Sequence, residues 1–515
     1  MYKRKRTKRK CKISRSTAFL LLVFLILGGF FIPYIGFFLY AMEDYNSVAY
    51  NATPPDESGF IPVNTTRLHA MAMWYEENIA NYHLPHDMIV NTYFDSSTSV
   101  GNPIAYSSTT DSAEWSGHYL MGEAFRYVIH LQEGNTSLAQ EALNNITKIL
   151  DGYDKILHVA PNGGMARYAW PLAEYPASDT RDNRYLGEWN GQFYIYEDDT
   201  SRDMHNGVIM GLGMAYHLVN DTATRERIKG LVEDLLDYML ERGWLYVNPD
   251  GDPNGTDLDV GFWVFGTGGF WTLAYLKVGE LVNPEKYGPL YREYAIERDY
   301  VHRSNHPQLS RTNLVQAYYG LLLDWELLFT LTTLETDPAL RQIYLDHTTE
   351  LYELTKQDRT SIFSAMWLAL MGINRLNEPD DSIVIRDIED CLMRFYEAPQ
   401  RFPGRNYGVS TEGLENPTSI KWVDFFTDGL GSTLYPFWES VFQFKPHAVH
   451  ALTPDLRKMT DFLWSRSPYD LGGTGNGRNE GPGCDYTVVY WLCRYHNIIG
   501  PPSNYSLTLN VTYGG

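Results

Sequence analysis

The chain has 515 residues and a formal net charge of −21, and 44% of its residues are hydrophobic. A negative field of this size repels the phosphate backbone of nucleic acids, so we expect no nucleic-acid partner. Four cysteines in so long a chain argue against a disulfide-dependent fold, because a core of this size is stable without cross-links.

The first 42 residues differ from the rest of the chain. Residues 1–15 contain nine Lys or Arg and no acid, and residues 18–41 are apolar and uncharged. A bilayer is crossed by about 20 apolar residues, whereas a cleaved signal peptide has an apolar core of about 7–15. The pattern predicts a basic cytoplasmic tail over 1–17 and a transmembrane signal anchor over 18–41, with the lipid bilayer as a partner. A long cleaved signal peptide is the alternative.

The anchor would place the main domain outside the cytoplasm, at the cell surface or in a secretory lumen. Residues 42–65 are polar and contain prolines, which predicts a stem. Asn-x-Ser/Thr sequons are candidate glycosylation sites and agree with this topology. They lie at Asn51, Asn64, Asn135, Asn145, Asn220, Asn254, Asn504 and Asn510.

Between residues 66 and 498 the apolar residues follow a helical period, and two kinds of helix alternate. Helices that are apolar nearly all round begin near residues 111, 205, 261, 311, 361, 430 and 485. Helices with a single apolar stripe lie near 66–82, 138–157, 224–242, 285–302, 338–356, 384–397 and 453–466. The alternation predicts an all-α fold, an α/α toroid of six or seven hairpins over 66–498, followed by a C-terminal tail over 499–515. An α-solenoid is the alternative, but no repeat of fixed period is present.

The connections that lead into the buried helices are mostly longer than those that leave them. Long loops on a rigid scaffold often carry function, and here they share one end with the N-termini of the buried helices. The first polar helix start at that end is Asp111-Ser-Ala-Glu114-Trp115-Ser-Gly-His118. Its two carboxylates lie within one turn, Trp115 is placed to stack on a sugar ring, and His118 is a candidate for binding substrate. The alternative is a capping box with core aromatics.

The second helix start is Ser201-Arg202-Asp203-Met204-His205-Asn206. Asp203 and His205 are candidate acid/base groups, while Arg202 and Asn206 are candidates for binding substrate. The alternative is a plain cap in which Arg202 neutralises Asp203.

The third helix start is Glu480-Gly-Pro-Gly-Cys484-Asp485, after a glycine-rich loop. Glycines let the backbone approach a ligand closely, which makes Glu480 a catalytic candidate and Asp485 a binding candidate. Turn chemistry alone is the alternative. Trp263 is a further candidate for stacking on substrate.

Asp250-Gly-Asp252-Pro-Asn254 places oxygen-bearing side chains at alternating positions, as calcium loops do. A bidentate Glu at the twelfth position is lacking, so the loop is not of EF-hand type. A calcium ion is the one cofactor the sequence suggests, and an acidic turn is the alternative.

The alternation of helices, with polar and aromatic helix starts, resembles the six-hairpin (α/α) glycosidase-like proteins over residues 66–498. That superfamily includes glycoside hydrolases, polysaccharide lyases and sugar epimerases. The resemblance implies a carbohydrate-active enzyme, foremost a glycoside hydrolase with a carboxylate pair drawn from Glu114, Asp203, Glu480 and Asp111. A lyase or epimerase, with His205 as the base of a lyase, and a non-catalytic protein that binds glycan or another partner remain alternatives.

Overall fold

The computed structural model describes residues 57–176, 179, 181–248, 253–259, 269–302, 318–372, 379–403, 405–406, 448, 450–460, 462–470, 472–473, 475–509, 511 and 513. The predicted cytoplasmic tail, the predicted anchor and most of the predicted stem lie outside these residues. The same holds for Asn51, Asp250, Asp252, Trp263 and Asn510.

The described part of the chain is mainly helical. Its α-helices are α1 (Thr65–Asn78), α2 (Ser112–Gln132), α3 (Thr136–His158), α4 (Arg202–Leu218), α5 (Thr222–Glu241), α6 (Phe270–Val282), α7 (Pro284–Arg292), α8 (Tyr319–Leu334), α9 (Pro338–Thr355), α10 (Ser361–Met371), α11 (Pro379–Glu397) and α12 (Cys484–Tyr495). Turns of π-helix over Ile79–His83 and Glu293–Glu297 follow α1 and α7.

The predicted contrast between the two kinds of helix is present. Helix α4 buries every residue from Met204 to Ala215. Helix α5 buries a stripe that includes Ile228, Leu235 and Met239 and leaves its other faces to charged residues. Fully apolar helices therefore lie inside and striped helices cover them, as hydrophobic burial requires.

The buried helices α2 and α4 are packed backbone to backbone. A Cβ added at Gly207 would lie 2.5 Å from the Cα of Glu114, and one at Gly211 would lie 2.7 Å from the carbonyl oxygen of Gly117. Only glycine, which lacks a Cβ, allows this approach. Because the residue numbers of the paired positions rise together, the two helices are parallel and begin at the same end.

Three further helices run parallel to this pair. Residues of α6 and α8 face α4 in rising order, since His205 contacts Tyr275 and Gly213 lies against Val278 and Leu334. Helix α12 faces α2 in the same way, from the Gly122–Val488 contact to the ring contact of His130 with Trp491. The N-terminal turns of α2 and α4 thus stand side by side.

The all-α prediction is wrong, because the long loops fold into small antiparallel sheets. The strands are β1 (Asn91–Phe94), β2 (Pro103–Ser107), β3 (Tyr168–Pro171), β4 (Arg184–Trp189), β5 (Gln192–Glu197), β6 (Leu245–Val247), β7 (Pro253–Asp257), β8 (Arg405–Asn406), β9 (Gly472–Gly473) and β10 (Asn479–Glu480). The strand orders in the sheets are β10-β1-β2, β3-β5-β4, β6-β7 and β8-β9. In register, Thr92 of β1 pairs with Glu480 and Tyr106, and Ile195 of β5 pairs with Trp170 and Leu186.

The toroid is not shown. The predicted outer helix over 453–466 is replaced by two short 3-10 turns, Pro454–Leu456 and Leu463–Ser465. Its predicted partner helix near residue 430 falls outside the described residues. We therefore describe parallel packing of buried helices and assign no closed ring.

The predicted single-pass membrane protein also needs correction. None of the helices that the structure describes is long and apolar enough to cross a bilayer. Even α3, with 23 residues, carries Lys148, Asp151, Asp154 and Lys155, whereas a membrane span needs about 20 mainly apolar residues. The finding goes against the predicted transmembrane signal anchor and the predicted single-pass membrane localisation, while residues 18–41, through which the bilayer contact is predicted, lie outside the described part.

Candidate functional site

Glu114 lies in the first turn of α2 and is 4% exposed. Within the described residues its carboxylate has no hydrogen-bond or ion-pair partner. Burial raises the pKa of Glu114 well above its usual value, and the nearby carboxylates of Asp203 and Asp111 raise it further. The positive end of the helix dipole would favour the ionised form, but desolvation outweighs it, so the surroundings favour the protonated form of Glu114.

Asp203 is the charged neighbour that raises the pKa of Glu114 most strongly. It lies in the first turn of α4, is partly exposed, and faces the parallel first turn of α2 across the Gly207 contact. Asp111 is the N-cap residue of α2, but its side chain makes no capping hydrogen bond to the helix. One buried acid and one accessible carboxylate thus meet at the N-terminal ends of two parallel helices.

Two residues that the sequence reasoning missed border this pair. Arg167 lies next to Glu114 and opposes the rise of its pKa. Its guanidinium donates to the backbone oxygens of Thr110 (2.9 Å) and Asp199 (2.7 Å), which ties together the two loops that lead into α2 and α4. Tyr319, in the first turn of α8, is 52% exposed, and its pKa is raised by partial burial and by the charge of Asp203. The entrance therefore offers one cation and one exposed aromatic ring.

Glu326, also missed, lies beneath the pair. It is fully buried in α8, and its Oε1 lies 2.6 Å from His118 Nε2. Its Oε2 accepts a hydrogen bond of 2.5 Å from Asn206 Nδ2. His118 and Asn206, predicted to contact substrate, instead join α2 and α4 to α8. A sequence signal existed, since Asp324 and Glu326 interrupt an otherwise apolar helix, and buried charges are rare unless paired.

Two other predicted residues face the core. Trp115 is 5% exposed and stacks on Phe462 with the ring centroids 4.7 Å apart, so its ring is not open to a sugar. His205 is fully buried, and its Nδ1 contacts the hydroxyl of Tyr275 at 2.6 Å. Burial, with the charge of Arg167, lowers the pKa of His205 to about 3. His205 therefore cannot reach a substrate as a base in this structure.

Glu480 belongs to a separate buried network. Its carboxylate accepts from Asn78 (2.8 Å) and Arg401 (2.7 Å) and contacts His83 (3.3 Å). Burial alone would raise the pKa of Glu480, but the hydrogen bonds and charges of these partners hold it below its usual value. Glu480 thus makes its contacts with residues of this network, and none of them is Glu114 or Asp203.

Asp485 is also structural. The carboxylate accepts from the backbone N–H of Leu463 (3.2 Å), and its carbonyl oxygen accepts from the Trp464 ring (2.8 Å). Gly483, not Asp485, is the N-cap residue of α12. Asp485 therefore holds the turn that carries Phe462 and Leu463.

Arg202 is half-buried and donates through Nε to the backbone oxygen of Asp257 at 2.9 Å. Desolvation lowers the pKa of its guanidinium, and the charges of Asp257 and Asp203 counter that effect. Arg202 therefore supports β7 next to the site. For Asn254, in the calcium prediction, only the backbone is described, as part of β7.

The sequons differ in accessibility. Asn64, Asn220 and Asn504 are exposed, and Asn135 is partly exposed. Asn145 is 5% exposed, and its amide donates to Tyr119 and Glu123, both at 3.0 Å. A glycan on Asn145 would have to replace these buried bonds, so the folded chain does not offer this sequon.

Among the described residues, one group has the spacing of metal ligands: Asp387, Asp390 and Cys391, all buried. Arg359 bonds both carboxylates, and Arg394 donates to Asp390 at 2.8 Å. Arginine pairing explains these acids without an ion.

The comparisons with known proteins add no relative. No protein-family model matches the chain, and neither a curated protein nor a solved structure is significantly similar to it. The residues around Glu114 and Asp203 are therefore the basis for the functional interpretation.

Proposed function

We propose that the chain is a carbohydrate-active enzyme, a glycoside hydrolase in which Glu114 is the general acid and Asp203 the second carboxylate. The observation that carries the proposal is the buried Glu114, with a raised pKa and no hydrogen-bond partner among the described residues, beside the accessible carboxylate of Asp203. Hydrolysis of a glycosidic bond needs such a division: one carboxyl that holds a proton for the leaving group, and one ionised carboxylate for the other face of the sugar.

Each role follows from the surroundings of the side chain. Burial favours the protonated form of Glu114, which gives its proton to the glycosidic oxygen as the bond to the anomeric carbon breaks and the alcohol leaves. Asp203 either takes a proton from the water that attacks the anomeric carbon, or attacks that carbon itself to form a glycosyl ester that water then hydrolyses. Tyr319 is placed to contact the sugar, because its exposed ring adjoins Asp203. The lyase alternative is not favoured, since His205 is enclosed.

The test is cleavage of a panel of labelled oligosaccharides by the purified full-length protein. We expect Glu114→Gln and Asp203→Asn each to lower turnover about 100-fold or more, the contribution of a positioned acid or base. Glu226→Gln is the matched control, because Glu226 is an exposed carboxylate near the start of α5, next to the C-terminal end of α4 and so at the opposite end of that helix from Asp203. The anomeric configuration of the first product, read by proton NMR, distinguishes a nucleophilic from a basic role for Asp203.

Two results would overturn the proposal. Turnover that survives Glu114→Gln would remove Glu114 from the reaction. Binding of a glycan without cleavage of any panel member would favour the non-catalytic alternative.

A further inference from the structure

Glu326 connects the two helices that carry the proposed carboxylate pair. It bonds His118 of α2 through Oε1 and Asn206 of α4 through Oε2. All three side chains are at most 1% exposed. One carboxylate therefore joins three parallel helices in a single buried contact.

His118 and Asn206, the two residues that Glu326 bonds, lie directly beneath the proposed catalytic groups. Glu114 precedes His118 by four residues, and Asp203 precedes Asn206 by three. Positions three or four apart lie on the same helix face, and helical side chains lean toward the N-terminus. Fixing His118 and Asn206 to one carboxylate thus fixes the turns that present Glu114 and Asp203.

The hydrogen bonds of His118 also determine how many hydrogens lie between its two ring nitrogens and their partners, which we call the proton count. Its Nδ1 lies 3.0 Å from the backbone oxygen of Glu114, four residues earlier. A carbonyl oxygen only accepts, so Nδ1 carries a hydrogen. The 2.6 Å contact between Nε2 and Glu326 needs another hydrogen, because two lone pairs would repel. One hydrogen therefore lies between Nε2 and Oε1, and the pair has no net charge whichever of the two atoms carries that hydrogen.

We propose that Glu326 is a positioning residue that acts through this net-neutral pair, with the shared hydrogen on His118 Nε2, and that the pair holds Glu114 and Asp203 at their working separation. Its catalytic consequence rests on the proposed function, whereas its proton count does not. Glu326 itself does not touch the substrate.

Two substitutions of Glu326 separate positioning from direct catalysis. In Glu326→Gln the amide can donate to a neutral His118 Nε2 and its oxygen can accept from Asn206, so the contact survives without the extra proton. We expect glycan turnover to fall about tenfold or less, which is the lower part of the range for a residue that orients other functional groups. Glu326→Ala breaks both bonds, and a displacement of about 1 Å costs about 100-fold in turnover. If Glu326→Gln falls as low as Glu114→Gln, Glu326 reacts directly and the proposal fails.

A spectroscopic measurement tests the proton count without any substrate. In ¹⁵N-histidine-labelled full-length protein, His118 should show both ring nitrogens protonated at neutral pH, with assignment by comparison with His118→Gln. Glu326→Gln should convert Nε2 to the unprotonated form. Glu335→Gln is the matched control, because Glu335 is a buried, paired carboxylate at the far end of the same helix and should leave the signal unchanged.

The outcomes are distinguishable from those of the proposed function. A bare Nε2 in the wild-type protein refutes the neutral ion pair even if glycans are cleaved. A protonated Nε2 that depends on Glu326, without cleavage of any glycan, supports the pair and refutes the hydrolase.

Discussion

Replacing Gly207 by alanine tests the packing on which the candidate site depends. The added Cβ would lie 2.5 Å from the Cα and 2.9 Å from the carbonyl carbon of Glu114. Carbon atoms pack at about 3.5–4.0 Å, so α2 and α4 must separate locally by about 1 Å. These neighbours are backbone atoms, so no side chain can turn away to relieve the contact.

The expected loss of stability follows from two opposing effects. Alanine gains about 1 kcal/mol of helix propensity over glycine, and overpacking of a core costs about 1–3 kcal/mol. Since the contact is with backbone, we take the upper value and expect a net loss of about 2 kcal/mol. Gly230→Ala is the matched control: Gly230 lies inside α5 with no atom within 4 Å of an added Cβ, so it should gain about 1 kcal/mol.

Urea unfolding followed by circular dichroism measures both variants. The midpoints should move in opposite directions, and the two free energies of unfolding should differ by about 3 kcal/mol. Gly207→Ala that is as stable as the Gly230→Ala protein would refute the close backbone contact. If glycan turnover has been established, the 1 Å separation should also lower it about 100-fold.

Three further variants probe protonation and capping. Glu114→Gln should flatten the pH dependence of the free energy of unfolding. The raised pKa of Glu114 stabilises the folded state fully below the pKa of the unfolded state, about 4.3, and this contribution is lost as pH rises through the pKa of the folded state. Thermal unfolding from pH 5 to 8 checks this, and equal slopes for variant and wild type would contradict it. His130→Phe should reduce acid sensitivity, because burial and the charge of Arg126 lower the pKa of His130 from 6.5 to about 3. The contribution of the neutral His130 to stability is then present above pH 6.5 and is lost as pH falls toward about 3. A variant that unfolds in acid as readily as the wild type would show that His130 does not cause the acid sensitivity. Asp221→Ala should cost about 1 kcal/mol, since Asp221 caps α5 through the Thr224 N–H at 2.8 Å; an unchanged urea midpoint would show that the cap is not stabilising.

The helices were largely predictable because burial imposes a period. The stripe of α5 and the wholly apolar α4 follow from the spacing of their apolar residues alone. The strands were missed although one carried a strong signal: Asn190-Gly191, both with positive φ, form the tight turn between β4 and β5. Asn-Gly between aromatic and β-branched residues is typical of a hairpin.

The site was predictable only in part. Glu114 and Asp203 are candidates because acids at the starts of apolar helices stand out in the sequence, and the structure places those two helix starts side by side. A sequence does not show that Arg401, Asn78 and His83 contact the carboxylate of Glu480. Sequence distance also hid Glu326, which lies 208 residues from His118 along the chain. Such partners depend on how helices pack, and local patterns contain no record of that.

Five buried glutamates among the described residues are hydrogen-bonded, and Glu114 differs from them. The carboxylates of Glu76, Glu123, Glu197, Glu335 and Glu480 each accept hydrogen bonds from side chains around them. Leaving a buried polar group unpaired costs about 1–3 kcal/mol, and within the described part of the chain no side chain donates a hydrogen bond to Glu114. Arg167, the cation beside it, is held instead by backbone oxygens of two loops. A buried acid with a raised pKa and no described hydrogen-bond donor, next to an accessible carboxylate, is in the physical state expected of a group that gives its proton to a substrate.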